Sequence, residues 1–355
     1  MPAASSVDRR SLLIAAPALL LGACATPPGT TASGIGELAR TLTERLAAED
    51  EAGFLAGFAS QPGAQALGRR MFATLSQTPA SITATPTGRL RVAWRLPGEP
   101  RVISEANLDR VNGRIANLTA ATSGTEWLGE PLGVHSAPRL VVAASAAGQL
   151  SRWSRAAEAG LAALTRVVPP GRNWVEPVVV LVPDGLAGFA AYAGRGADRT
   201  GAVTVVPGTP DSDGVRVVLN PTLRQKSADD RALIAHEAVH AWMRSPRLTG
   251  TPGWLLEGIA EAFTAAAYPQ VAATNRRLAA DAVADGVPRA LPDVADARPA
   301  SYALAQVAVQ AMVGRLGWPA VLDEADARTS GGATVEDATV LDWYRAALAA
   351  LDGPG

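Results

Sequence analysis

Between residues 36 and 58 the apolar positions Leu38, Leu42, Leu46, Phe54 and Phe58 recur at helical spacing, with a break expected at Gly53. Residues 64–76 continue that period, with Leu67, Met71, Phe72 and Leu75 on one face. The pattern then changes to strand-like runs at 80–85, 89–96 and 100–107, and Pro97-Gly98-Glu99-Pro100 reads as the turn between the last two. Helices followed by an antiparallel meander predict a small α+β domain over 36–124. Residues 119–125 (TAATSGT) read as a linker.

A second domain is expected over 130–355. An apolar run at 140–144 precedes a helical pattern at 147–165, and Val175 to Val182 reads as a buried strand stopped by Pro183-Asp184-Gly185. A short helix at 184–193 and a loop at 194–201 lead to strands Val203–Val206 and Val215–Leu219, separated by the turn-rich PGTPDSDG of 207–214. The remainder is helical. Ser227-Ala228-Asp229-Asp230 resembles a capping box that starts a helix ending near Met243, because Pro246 cannot continue it. Pro252-Gly253 opens another helix, Trp254 to Ala267, and later helices are expected at 272–284, 300–315 and 335–351.

The first residues carry a different signal. Arg9 and Arg10 precede an apolar stretch from Leu12 to Gly22, which is too short to span a bilayer as a mature helix. It ends at Leu21-Gly22-Ala23-Cys24, which resembles a bacterial lipobox. That resemblance implies a signal peptide over 1–23, lipidation of Cys24, and a flexible tether over 24–35, rich in Pro, Gly, Ser and Thr. It also accounts for a lone cysteine, which permits no intrachain disulfide. Asp8-Arg9-Arg10-Ser11-Leu12-Leu13 resembles a twin-arginine export signal, and two arginines also suit an ordinary leader. The expected location is the outer, envelope-facing side of a bacterial membrane, with the lipid as the membrane contact. The 355-residue chain has a net charge of −1, which gives no footprint for nucleic acid.

The chemistry concentrates in His236-Glu237-Ala238-Val239-His240, which holds two of the three histidines. Positions i and i+4 of a helix share one face, so both imidazoles can reach one metal ion. A glutamate beside the first His stands where it can take a proton from an attacking water. The third histidine, His135, lies in a stretch bounded by Gly and Pro and reads as incidental.

Downstream stands Trp254-Leu255-Leu256-Glu257-Gly258-Ile259-Ala260-Glu261. With the His-Glu-x-x-His pattern, the segment 227–268 resembles the gluzincin branch of zinc metallopeptidases, the thermolysin-like and aminopeptidase-N-like enzymes. The resemblance implies a zincin-like domain with a mixed sheet and active-site helices. It further implies one Zn2+ held by His236, His240 and Glu257, Glu237 as the general base, and a peptide or protein substrate. Glu261, one turn beyond Glu257, matches an acidic residue that bonds a zinc-bound imidazole in relatives, and is also a rival for the ligand position. Tyr302, which opens a predicted helix, resembles an oxyanion donor of the aminopeptidases, although their following Lys-Gly is absent; Tyr268 and Tyr192 are rivals. Gluzincins place an edge strand for substrate just before the active-site helix, here Val215–Leu219. Two histidines and one carboxylate leave a fourth position open, as in catalytic rather than structural zinc sites. The competing reading is a non-catalytic zinc-binding envelope lipoprotein. The first domain also resembles the cone-shaped nuclear-transport-factor-like superfamily.

Overall fold

A computed structural model of the chain describes residues 32–145, 147–169, 177–194, 196–222, 227–284 and 286–351. The expected leader, Cys24 and most of the tether lie outside these residues. So do Val175 and Glu176 of the predicted strand 175–182.

The chain is α+β, with two sheets. The first part opens with α1 (Ala32–Ala47), α2 (Glu51–Leu55) and α3 (Pro62–Leu75). The helix therefore starts inside the expected tether. The break after α1 falls at Glu49, where φ is 53°, and not at Gly53. Asp50 then caps α2 by accepting from the Gly53 N–H at 2.8 Å, so the cap restarts the helix before the glycine is reached.

The meander has four strands and not three: β1 (Ser81–Ala84), β2 (Leu90–Trp94), β3 (Val102–Val111) and β4 (Arg114–Ala120), paired in that order. Asn112-Gly113, both with positive φ, makes the β3–β4 hairpin turn. The first two residues of the expected linker 119–125 consequently belong to β4, and its Gly124 is buried. The Gly124 carbonyl accepts from Trp94 Nε1 at 3.1 Å.

The second sheet runs β5 (Gly133–Ala137), β6 (Leu140–Ala144), β7 (Val178–Val182), β9 (Arg216–Leu219), β8 (Ala202–Val205). The β6–β7 and β7–β9 pairs are parallel and the two outer pairs antiparallel. Its middle strands are apolar at every residue of β6 and β7 because both faces are covered. Leu140, Val142, Val178, Val180, Val182, Val217 and Leu219 point into a core shared with helices. The alternate residues Val141, Ala143, Val179, Leu181 and Val218 point into a core shared with the first part of the chain. Each such valine or leucine gains about 1.5–3 kcal/mol over exposure, so neither face is left to water.

The helices on the first face are α4 (Ala147–Leu164), α6 (Ser227–Met243), α7 (Gly253–Ala267), α8 (Pro269–Val283), α9 (Pro299–Thr329) and α10 (Asp337–Ala349); α5 (Gly185–Ala193) lies on the other. The helix expected at 300–315 continues past a break at Gly317, whose φ is 79°.

The two parts of the chain are joined by polar contacts as well as a common core. Arg216 of β9 is fully buried. It donates to Glu99 through Nε (2.6 Å) and Nη2 (2.8 Å) and to Glu126 through Nη1 (2.9 Å), with its guanidinium 4.5 Å over the Trp94 ring. The loop between β8 and β9 lies on β3: Thr209 N donates to the Ile103 carbonyl at 2.7 Å, and Ile103 N donates to Ser212 Oγ at 2.9 Å.

Candidate metal centre

The motif helix α6 sits between the sheet and its neighbours α4 and α7. That placement buries the polar face carrying the motif. His236, Glu237, His240 and Glu257 are 4%, 0%, 2% and 2% exposed. After α6 the chain takes a left-handed residue at Arg244 (φ 55°) and a 3-10 turn at Ser245–Arg247. Pro252 then precedes α7, which returns along α6 and presents Glu257 to the imidazoles.

Three atoms converge there. Glu257 Oε2 lies 3.2 Å from His236 Nε2 and 3.2 Å from His240 Nε2, and the two Nε2 atoms are 3.2 Å apart. The other ring nitrogens are occupied. His236 Nδ1 is 3.3 Å from Glu261 Oε1, and His240 Nδ1 is 3.1 Å from Ser245 Oγ. A carboxylate only accepts, so Nδ1 of His236 carries a proton toward Glu261; without a metal Nε2 is protonated as well and donates to Glu257, and a bound cation would take the place of that second proton. Where His240 Nδ1 donates to Ser245 Oγ, a hydroxyl that can also donate, the His240 Nε2 lone pair is directed at the same point as His236 Nε2 and Glu257 Oε2. Such an arrangement suits one cation in place of the His236 Nε2 proton. A tetrahedral zinc with arms of roughly 2.0–2.1 Å sets its donors roughly 3.3 Å apart, which this triangle fits.

The electrostatics agree with the geometry. Burial opposes charge on His236, yet its hydrogen bonds to Glu257 and Glu261 and their negative charges outweigh it and raise the ring well above the ordinary histidine value. Burial acts to raise Glu257, but the imidazoles of His240 and His236 hold its carboxyl below the usual range. The pocket thus favours positive charge between its carboxylates. Glu261 is itself anchored: Asn275 Nδ2 on α8 donates to its Oε2 at 2.6 Å and to Gln306 Oε1 on α9 at 2.7 Å. Four helices therefore contribute to holding one imidazole.

Glu237 is different. One carboxylate oxygen, Oε2, accepts from Thr204 Oγ1 at 2.6 Å. The other, Oε1, is buried with no hydrogen-bond partner among the described residues. Burial pushes this carboxyl up, against the lowering influence of His240, His236 and the Thr204 bond. An unsatisfied buried carboxylate oxygen is costly and calls for a functional account.

The remaining expected residues separate. Tyr302 is buried in the first turn of α9, one turn before Gln306. Tyr192 lies where the two parts of the chain meet and accepts from the Gly124 N–H at 3.0 Å. Tyr268 joins α7 to α8, and its buried hydroxyl has no hydrogen-bond partner among the described residues. His135 lies on strand β5 rather than in a loop, with its ring 2.7 Å from Glu158 of α4 at the surface. The expectation that 215–219 is the edge strand is corrected: β9 is interior, and β8 forms the edge because the 207–214 turn folds it back antiparallel. Thr204, Ser245, Asn275 and Gln306 were not singled out from sequence. Ser245 was reachable, five residues after His240, whereas the other three meet the site only through tertiary packing.

Comparison with protein-family models, curated proteins and solved structures finds no match for this chain.

Proposed function

We propose that the chain is a zinc-dependent peptide hydrolase acting at the envelope face of a bacterial membrane. The observation that carries this reading is the triangle of His236, His240 and Glu257 donors beside a buried glutamate with one oxygen unengaged. Zinc bound there supplies Lewis acidity toward a carbonyl and toward water. His236, His240 and Glu257 are the residues that would hold it. Glu261 and Ser245 keep the two imidazoles in the tautomer that presents Nε2. Glu237 takes the proton of the attacking water and returns it to the leaving amine. Tyr302 is the candidate donor to the oxyanion. Cys24 and the leader preceding it support a lipid anchor; among the described residues no helix is long and apolar enough to cross a membrane.

A second reading, a zinc that only pins α6 to α7 in a binding lipoprotein, draws on the burial of the ligands, none more than 4% exposed. One substitution separates the two. Glu237→Gln keeps the zinc in both cases. Under the hydrolase reading it lowers cleavage of fluorescein-casein and a mixed peptide library by about 10²–10⁴-fold. Equal cleavage by variant and wild type removes the base; no cleavage by zinc-loaded wild type favours the second reading.

A further inference from the structure

Strand β8 holds a polar residue where its pattern calls for an apolar one. Ala202 points into the helix-side core and Val203 into the opposite core, so Thr204 returns to the helix side. On the neighbouring strand the helix-side positions are Val217 and Leu219. A valine at 204 would satisfy the packing. The threonine found there instead is 9% exposed as a residue, and both contacts of its hydroxyl are on one residue: Glu237 Oε2 at 2.6 Å and the Glu237 carbonyl at 3.1 Å.

We propose that Thr204 is a positioning residue that fixes Glu237 through Oε2 and leaves Oε1 as the oxygen that exchanges the proton. This rests on the hydrolase reading above. The hydroxyl has a single proton and two acceptors. It donates to Oε2 at 2.6 Å, and Oε2 remains an acceptor when Oε1 carries a proton. Thr204 therefore holds Glu237 before and after the proton moves from water to Oε1, and again after Oε1 passes it to the leaving group. A β-branched side chain on a paired strand has little freedom at χ1, so the sheet sets where the hydroxyl stands. The asymmetry of Glu237, one oxygen bonded and one unengaged, follows from this single contact.

The test uses the full chain loaded with zinc, as wild type, Thr204→Val and Thr204→Ser; Thr204→Ala replaces the valine variant if that one does not fold. Acetohydroxamate is the first probe, because it gives up a proton on binding a metal and needs an acceptor beside it. Fluorescein-casein is the second. Zinc content stays the same in all variants. Thr204→Val weakens acetohydroxamate binding roughly tenfold and lowers kcat on casein at least as much with KM little changed, since a hydrogen bond to a charged group is lost. Thr204→Ser restores both. Wild-type values in Thr204→Val, or a serine variant as impaired as the valine one, overturn the proposal while leaving the hydrolase reading intact. Thr204-dependent acetohydroxamate binding with casein uncut by wild type overturns the peptidase reading and leaves Thr204 in place. Failure of wild type to take up zinc overturns both.

Discussion

Gly258 stands beside the candidate ligand Glu257 and faces α9 at close range. A Cβ built there lies 2.6 Å from Val309 Cγ2 and 2.8 Å from the Ala305 carbonyl carbon, with the Ala305 oxygen nearer still. Val309 can rotate, but the Ala305 backbone belongs to a buried helix and cannot. Ordinary contact begins at 3.4 Å, so Gly258→Ala must drive α7 and α9 apart by roughly 0.6 Å or more. Overpacking of this kind costs about 1–3 kcal/mol. Alanine's higher helix propensity returns about 1 kcal/mol at most. The larger consequence is for the site. Metal ligands tolerate about 0.2 Å of misplacement, and the displaced helix carries both Glu257 and Glu261. Gly258→Ala is therefore expected to weaken zinc binding by at least tenfold, measured by competition with a chromophoric chelator. It also lowers the melting temperature of the metal-free protein. A variant that melts and binds zinc like wild type would refute the reasoning, because it would mean that α7 and α9 are not in the contact described.

Three further outcomes follow from other parts of the structure. Glu261→Ala removes the acceptor on His236 Nδ1 and is expected to cost ten- to a hundredfold in zinc affinity with the ligands intact; unchanged affinity would deny Glu261 that role. Arg216→Met leaves Glu99 and Glu126 buried without their cation and is expected to cost about 3–5 kcal/mol in urea unfolding at neutral pH; a loss below about 1 kcal/mol would show the join to be weak. Because the metal-free His236 holds its proton to higher pH than an ordinary histidine, zinc must displace that proton. Affinity should rise with pH by about tenfold per unit across the neutral range, and a flat dependence between about pH 6 and 8 would contradict this.

Much of the helical half was legible from periodicity and punctuation. Pro246 and Pro252 frame the turn between the two site helices, and the i,i+4 spacing of His236 and His240 survives into the three-dimensional site because helix geometry is local. Position 258 was readable as part of a pattern but not as a reason, since the reason is the backbone of residue 305. The fourth strand of the first sheet went unread although Asn112-Gly113 announces a hairpin; the polar residues around it hide the alternation of a strand with one exposed face. Strand order was beyond reach for a different cause. Nothing in Val215–Leu219 reveals that Ala202–Val205 will lie outside it, because pairing is decided by the 207–214 turn seated on Ile103, about a hundred residues earlier. Thr204, Asn275 and Gln306 belong to the same class. Each is unremarkable locally and acquires meaning from a partner on another element.

The most direct test of the account is metal analysis of the purified chain, joined to X-ray absorption at the zinc edge. The account predicts one zinc per chain in a shell of nitrogen and oxygen at roughly 2.0–2.1 Å, without sulfur, and loss of that zinc in Glu257→Ala. A chain that retains no zinc after mild dialysis, or one that keeps it undiminished in Glu257→Ala, would contradict it.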